Sequence, residues 1–481
     1  QARLGLDKPD LLAARAPQPT VVLLTSHDCF PIAGGQDGWQ EASFSFAAHG
    51  LNAQGEYGLF ASESAGFHGI TDIGLDTIYS IFNDYLHPPP LVIEPQERSP
   101  LPCDRLRFGP TQLAVGADGG PVENIGALLA RFSRPLFRRL RTRRRQGAAV
   151  SSWLASLPRE SAGVAGLDLP RAWGEDAATS LPLSKARWFE GGVEEWYVLN
   201  TVHACAVTMR LFRFTGPDHV RPGGRLNPGS RLAMLLGGPV ELNRQLSGFE
   251  QSLLVHLQQR GISLAFVGLC GVGDDMWRGG LWEFAPLLLA QTHVGFHAEE
   301  IIRSTRWAIE TLGASKVFVA ALGGGVGAAL LHAAPHLMSD WPRDQEGVKA
   351  RLAGIALVNE LCSYRDVAVA RQHNLPWMMQ MYGVLEHYDL PDLLATLGRA
   401  EGPAALVVHP RGASGRPISR ARAFSKLQLA RQRFVGRGHG GNGLRIIARR
   451  NSGDAGGRGH SELAEGDAMV VANWIARVGS S

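Results

Sequence analysis

The sequence predicts an α/β fold whose mainly parallel sheet is covered by helices on both faces. From about residue 185 onward, short apolar runs typical of buried strands alternate with segments of helical periodicity. Several of these elements end at a glycine, which favours a turn at that point. Strands that alternate with helices usually pair in parallel, because the crossover helices cover both faces of the sheet.

The composition fits two domains with a sizeable core. Of the 481 residues 45% are apolar, and the 58 glycines and 28 prolines stay below the level typical of disorder. The formal net charge of +4 is too small to predict specific nucleic-acid binding. The five cysteines form no C-x-x-C pair, and the longest apolar runs are far shorter than the roughly 20 residues of a membrane span. We therefore expect a soluble globular protein without a transmembrane segment.

The chain divides into two regions of different pattern. Residues 1–180 are mixed and of unclear fold, with 20–25 as the best strand candidate, whereas residues 185–481 carry the α/β pattern. The segment from Arg131 to Arg145 holds eight arginines with apolar residues at helical spacing, which predicts a basic amphipathic helix. This helix either docks on a protein partner or anionic surface, or presents a solvated face beside a buried apolar stripe. The first residue is Gln1, so we expect a processed N-terminus, compatible with a secreted, periplasmic or organellar protein.

The elements of the second region follow in chain order. Runs rich in apolar residues predict strands at 196–200, 206–214, 232–236, 264–267, Lys316–Leu322, 354–359, 404–409 and 444–448. Helical periodicity predicts helices at 245–260, 298–312, 326–334 and 468–478. The first two strands are expected to pair with each other. Gly261 ends the first helix, and the third is entered directly from glycines.

Ligands of open α/β sheets bind beyond the carboxyl ends of the strands, where the most unusual segment is Gly323-Gly324-Gly325-Val326-Gly327-Ala328. One interpretation is a dinucleotide fingerprint, G-x-G-x-x-A, with Asp340 near the distance of the acidic residue but after no convincing strand. The other is a nucleophile elbow, a sharp strand-to-helix turn in which small residues flank a serine.

Residues 231–478 resemble α/β-hydrolases of the acetylxylan-esterase and dienelactone-hydrolase-like type. The matching segments are Gly237-Gly238 after the third family strand, 268–273 at the D-x-R-G-x-G loop, 290–300 over the G-x-S-x-x-G-x-R-x-x-D helix, 361–365 at S-Y-R, 387–393 at Y-D-L-P-D-L, 415–417 and 459–462. This resemblance implies an α/β-hydrolase-like sheet and carboxylic-ester chemistry without a cofactor. It also implies that Gly237, Gly238 and Gly324 shape the oxyanion pocket.

The same resemblance places the catalytic serine at Gly323, the acid at Gly412 and the base at His460. Glycine can neither attack an ester nor orient a base, so two positions of the triad are degenerate. Glu360, after the strand 354–359, is either a substitute acid for His460 or a surface carboxylate. The sequence therefore predicts a non-catalytic protein that binds a small ester, a carbohydrate-like ligand or a protein partner.

The alternative function is an active hydrolase of acetyl or xylan-type esters with a rerouted nucleophile. Cys270 and Cys362 follow strand ends and are the soft nucleophiles near the glycine turn, although buried unreactive thiols are the more common case.

A metal site is not expected. His293 and His297 stand four residues apart on a predicted helix with Glu300 beyond them, but the glutamate that a zincin needs after the first histidine is Val294. The two histidines are instead expected on the polar face of the helix. His27-Asp28 and His439 have no assigned role, and the arginine- and glycine-rich segment 411–458 is expected to be a solvated excursion.

Overall fold

The computed structural model describes residues 8–27, 32–51, 59–67, 69–86, 125–145, 148–167, 180–189, 191–200, 206–214, 224–227, 229–237, 245–272, 291–338, 351–370, 373–376, 379–399, 402–435, 443–448 and 465–480. The predictions for Asp28, Gly238, Asp340, His439 and His460 lie outside these residues. Two compact units are present: Gln1–Val122 with Leu288–Ala290, and Glu123–Leu287 with Gln291–Ser481.

The first unit contains a two-stranded parallel sheet. Its elements are α1 (Lys8–Ala13), β1 (Thr20–His27), α2 (Ile32–Ala48), β2 (Leu59–Phe67) and α3 (Asp72–Leu86). The predicted strand 20–25 lies within β1, which pairs with β2. Ala42 and Phe46 of α2 pack with Leu59 in the small core of this unit.

The second unit holds the large sheet and its helices. Its elements are α4 (Ile125–Arg143), α5 (Ala148–Ala165), β3 (Ser180–Phe189), β4 (Gly192–Asn200), β5 (Ala206–Arg213), β6 (Arg231–Gly237), α6 (Gly248–Gln258), β7 (Ser263–Gly268), α7 (His293–Glu310), β8 (Lys316–Leu322), α8 (Val326–Ala333), a 3-10 turn (His336–Met338), β9 (Arg351–Val358), α9 (Tyr364–Ala368), α10 (Val384–His387), α11 (Leu390–Thr396), β10 (Ala404–Val408), α12 (Arg420–Lys426), α13 (Gln428–Val435), β11 (Leu444–Ile447) and α14 (Glu465–Gly479).

The large sheet has the order β11-β10-β9-β8-β6-β7-β5-β4-β3. The strands from β6 to β11 pair in parallel, whereas β3, β4 and β5 add antiparallel strands at one edge. The predicted α/β class with a mainly parallel sheet is confirmed. The strand β8 has the predicted bounds and lies between β6 and β9, and β4 pairs with β5 as expected.

Side chains alternate between two cores along β8. Val317, Val319 and Ala321 join the larger core, while Phe318 and Ala320 join a second core on the opposite face. Because α7 and α8 contribute to the larger core and α6 and α14 to the second, helices cover both faces of the sheet as predicted. None of the helices in the described part of the chain combines the length and the apolar character that a membrane crossing requires.

Two segments singled out in the sequence, 361–365 and 387–393, meet behind the carboxyl end of β9. The Ser363 hydroxyl and the Tyr364 amide donate to the Asp389 carboxylate over 2.5 and 2.8 Å. Asp389 in turn caps α11 in a capping box with Asp392. The Arg144 guanidinium donates twice to Asp392 over 2.7 Å. This buried network fixes the loop that follows β9.

A second buried network joins α8 to the end of α10. His332 Nδ1 lies 2.7 Å from the Ala328 carbonyl oxygen, and Nε2 lies 2.9 Å from the Tyr388 hydroxyl. Since a carbonyl can only accept, Nδ1 carries the proton and Nε2 accepts from Tyr388. Burial lowers the pKa of His332 to about 4, so the ring is neutral near pH 7.

We expect Tyr388→Phe to lower the free energy of unfolding by about 1–3 kcal/mol, because it leaves the buried Nε2 of His332 without a donor. Denaturant unfolding of the variant at pH 7 measures this effect. The matched control is Tyr382→Phe at a side chain that is 78% exposed, which should unfold like the wild type. Equal stability of the two variants would contradict the hydrogen-bond assignment.

Candidate functional site

Three consecutive glycines make the turn between β8 and α8. Gly323, Gly324 and Gly325 have φ angles of 70°, 70° and 86°, and the Gly323 amide donates to the Val358 carbonyl over 3.0 Å. Among the described residues, a Cβ on Gly323 would approach only the Asn359 carbonyl oxygen, at 3.9 Å. A side chain would therefore have room, although its backbone would be strained in the left-handed region. The prediction of a central strand that runs through glycines into a helix is confirmed.

The Glu360 side chain covers the first turn of α8. A Cβ on Gly327 would lie 2.6 Å from Glu360 Cγ and 2.8 Å from Cδ, so only glycine fits against this side chain. Asn359, the preceding residue, has a φ of 59°, a conformation that asparagine tolerates better than most residues. Its backbone turns the chain just after β9, where Glu360 packs against the glycine turn.

Glu360 is a buried carboxyl without a hydrogen-bond partner in the described part of the chain. It is 4% exposed, and neither carboxyl oxygen has a partner there. Burial raises the pKa of Glu360 to about 8, and the Gly327 amide, the charge of Arg411 and the Gly325 and Gly323 amides offset only part of this effect. These amides lie near the carboxyl but lack the geometry of a hydrogen bond to it. The carboxyl is therefore protonated near pH 7. The interpretation of Glu360 as a surface carboxylate is wrong, because the side chain packs inward; its approach to His460 stays a prediction outside the described residues.

The remaining predicted positions surround the same carboxyl edge of the sheet. Gly412 lies in a tight turn after β10, where a Cβ would meet only Ile418 Cγ2, at 3.3 Å. Gly237 ends β6, and among the described residues no atom lies within 4 Å of where a Cβ on Gly237 or Gly324 would be. The oxyanion pocket that the resemblance implies at these glycines stays a prediction.

The dinucleotide interpretation fits this geometry poorly. In that motif the acidic residue at the end of the following strand binds a ribose, and the turn itself binds a pyrophosphate. Here the acidic residue next to the end of β9 is Glu360, and its side chain lies against Gly327 at the start of α8. The carboxyl thus covers the helix terminus that the pyrophosphate would use.

Cys270 lies beside two buried titratable groups of α7. His297 Nε2 donates to the Cys270 carbonyl over 2.8 Å, and the Cys270 amide donates to Glu300 over 3.2 Å. Burial lowers the pKa of His297 to about 4 and raises that of Glu300 well above its ordinary value. The His297 imidazole is therefore neutral near pH 7, and both groups lie next to a half-buried cysteine.

Cys362, the second cysteine in the described residues, is more deeply buried than Cys270. Burial raises the pKa of the Cys362 thiol to about 12, which removes it as a nucleophile.

His293 is 5% exposed and His297 1% exposed, so the expectation of a polar face is wrong; α7 is buried along almost its entire length. No group of three or more histidine, cysteine, aspartate or glutamate side chains in the described residues is arranged to hold a metal ion.

One polar pair at this edge was not predicted. His409 has a φ of 47° directly after β10, and its Nε2 lies 3.0 Å from Asp467 on α14. Its Nδ1 is buried without a hydrogen-bond partner in the described part of the chain. The position of His409 just before the segment matched to the family acid was the available signal, but nothing nearby in the sequence pointed to Asp467.

The sheet order and the strand–glycine–helix turn define an α/β fold with a mainly parallel sheet. No protein-family model matches the chain. The chain is 32% identical over 74 residues to hydroxynaphthalene reductase arp2 of Aspergillus fumigatus, a match that covers 14% of this chain and 27% of that protein. The chain thus spans about a quarter of the length of this curated relative.

Solved structures similar to the chain include several esterases. The methylesterase BT1017 is 15% identical with a TM-score of 0.47. The match covers 73% of this chain and 69% of the methylesterase chain. Acetyl xylan esterase 1 from Thermoanaerobacterium sp. JW/SL YS485 is 10% identical with a TM-score of 0.37. The match covers 68% of this chain and 93% of the esterase chain. The acetyl xylan esterase from Paenibacillus sp. R4 is 11% identical with a TM-score of 0.38. The match covers 67% of this chain and 94% of the esterase chain.

Proposed function

We propose that the chain is an α/β-hydrolase-fold protein without serine-type acyl-transfer activity that binds a small ester or carbohydrate-like ligand. The observation that carries this proposal is the turn after β8, where Gly323 has the left-handed backbone of an elbow but no side chain. Open backbone at Gly237 and Gly324 supports ligand binding beside this turn.

Among the described residues around the turn, Glu360 and Gly412 supply no substitute for the missing groups. Acyl transfer needs a nucleophile, a base to take its proton and a carboxylate to orient the base. Glu360 is protonated near pH 7 and buried, so it neither accepts a proton readily nor orients a histidine as a carboxylate would. Gly412 leaves the acid position without a carboxyl group.

Rapid mixing with p-nitrophenyl acetate tests the catalytic half of this proposal. We expect no burst of nitrophenol and a steady rate no more than about 10³–10⁴ above water, the level that remains when a triad is removed. The comparison variant is Gly323→Ser with Gly412→Asp, which should release more product if Gly237 shapes an oxyanion pocket. A burst equal to the enzyme concentration in the wild type would contradict the proposal.

Calorimetric titration with an acetylated xylo-oligosaccharide tests the binding half. We expect a saturable heat that Gly324→Val weakens, because a side chain there would fill space now empty within 4 Å. Gly50→Val, at a glycine of similar φ that is also open within 4 Å but lies in the first unit, is the matched control. Equal binding by both variants would place the ligand elsewhere.

A second candidate function is ester hydrolysis through Cys270. Of the two cysteines in the described residues, Cys270 is half-buried, whereas burial raises the pKa of the Cys362 thiol to about 12, so Cys270 is the better nucleophile. This candidate predicts that Cys270→Ala abolishes hydrolysis of p-nitrophenyl acetate, whereas Cys362→Ala does not. Equal rates in both variants would exclude it.

A further inference from the structure

A cationic pocket of about 280 Å³ lies between the end of α4 and the helices α9, α11 and α12. We call it the arginine pocket. Four cationic residues line it, namely Arg144, Arg365, Arg422 and Lys426, together with Ser363 and Ser425. Asp389 is the acid among its lining residues, and the pocket is formed by residues other than those of the glycine turn.

The aspartates near the pocket are buried and already bonded. Asp392 accepts both hydrogen bonds of Arg144, and Asp366 accepts from Arg422 and Lys426, each over 2.8 Å. These carboxylates are 0% and 6% exposed. They hold three of the cations, Arg144, Arg422 and Lys426, in place, which pre-organises them for a ligand.

Arg365 supplies the uncommitted charge. Its guanidinium stacks over the Phe137 ring at 4.4 Å, and within the described residues it has no hydrogen bond or ion pair. The stacked plane leaves its N–H donors available for a bidentate contact. Ser425, an exposed residue of α12, adds a hydroxyl that has no partner in the described part of the chain.

The charge around the pocket favours an anion of more than one charge. Four cations face three aspartates, and Arg141 and Arg145 flank Arg144 as exposed residues without an ion pair in the described part of the chain. Exposed charges act over about 8–10 Å at physiological salt, so these arginines add to the positive potential. Guanidinium forks and an ammonium match the oxygens of a phosphate, and the volume exceeds what a bare phosphate needs.

We propose that the arginine pocket binds a small phosphate monoester, with Arg365 as the direct phosphate ligand. The ester group occupies the remaining space beside Pro391 and Ser425. This proposal does not depend on whether the glycine turn binds a ligand, and it gives a role to the arginine-rich end of α4 that the hydrolase fold leaves unused.

Isothermal titration of the full chain with glycerol 1-phosphate, inorganic phosphate and sodium acetate, at near-physiological salt, tests the proposal. We expect the monoester to bind and Arg365→Gln to weaken it about tenfold or more. Arg139→Gln, an exposed arginine of α4 outside the pocket lining, should change binding less than about twofold. Melting curves of both variants check that they fold alike.

Several results would overturn the proposal. These are no binding of the monoester, binding of acetate as tight as that of the monoester, or equal losses in Arg365→Gln and Arg139→Gln, which would indicate diffuse electrostatic attraction. Binding of inorganic phosphate without the monoester would also overturn it. So would binding to vesicles of phosphatidic acid without binding of glycerol 1-phosphate, because the surface would then recognise a membrane.

Discussion

Replacing Glu360 with glutamine is expected to stabilise the protein at pH 8 and to change little near pH 4.5. Burial raises the pKa of Glu360 from its ordinary 4.5 to about 8, so the folded protein keeps a proton that the unfolded chain loses between these values. From this group alone, the free energy of unfolding of the wild type falls by about 1.4 kcal/mol per pH unit across that window. Glutamine has similar size and no proton to lose, so this slope disappears.

Urea unfolding of both proteins at pH 5, 6.5 and 8 measures the difference. The buried neutral histidines His297 and His332 destabilise the fold as the pH drops from about 6.5 to 4, but they do so in both proteins and cancel in the comparison. Glu386→Gln, at an exposed carboxyl, is the control and should leave the pH profile unchanged. A Glu360→Gln protein that is less stable than the wild type at pH 8 would mean that the carboxylate is ionised and held by the turn amides.

Gly327→Ala is expected to lower the free energy of unfolding by about 1–3 kcal/mol, the usual cost of overpacking a core. The new Cβ would lie 2.6 Å from Glu360 Cγ, and the buried glutamate has little room to retreat. Thermal or urea unfolding measures the loss. Gly163→Ala in α5 is the matched control: a Cβ there meets nothing within 4 Å, so this helical substitution should be neutral or stabilising.

A double-mutant cycle tests whether contact with Glu360 causes the destabilisation by Gly327→Ala. In the background of Glu360→Ala, Gly327→Ala should cost much less, because the obstructing side chain has been shortened. A coupling free energy of about 0.5–3 kcal/mol between the two positions is expected. Additive effects would show that Glu360 does not pack over the turn.

The sequence predicted the elements that local pattern determines. The run Lys316–Leu322 followed by glycines predicted β8 and its turn with the correct bounds, because a short apolar run and glycine punctuation are both local signals. The helix α7 begins at His293, earlier than the predicted 298, because Thr292 caps it by accepting from the Gly295 amide. Its polar sequence suggested a solvated face, which tertiary packing overrides.

The candidate site was predictable only in part. Glycine at 323 and 412 can be read directly, but the burial of Glu360 depends on how β9 turns toward α8. The arginine pocket joins Arg144 to Arg365 and Arg422, which are far apart in the sequence. Buried aspartates hold Arg144 and Arg422, whereas Arg365 stacks on Phe137. Periodicity cannot bring such residues together, because their proximity depends on the packing of helices from four parts of the chain.

Intact-mass measurement after incubation with a fluorophosphonate tests the central claim, the absence of an activated serine, most directly. The reagent labels the activated serine of a hydrolase covalently, and Gly323, the proposed elbow position, has no hydroxyl. We predict an unchanged mass for the wild type. The Gly323→Ser, Gly412→Asp variant, run in parallel, shows whether a restored elbow can react. Stoichiometric addition to the unmodified protein would contradict the account, and the labelled peptide would identify the nucleophile that acts in place of residue 323.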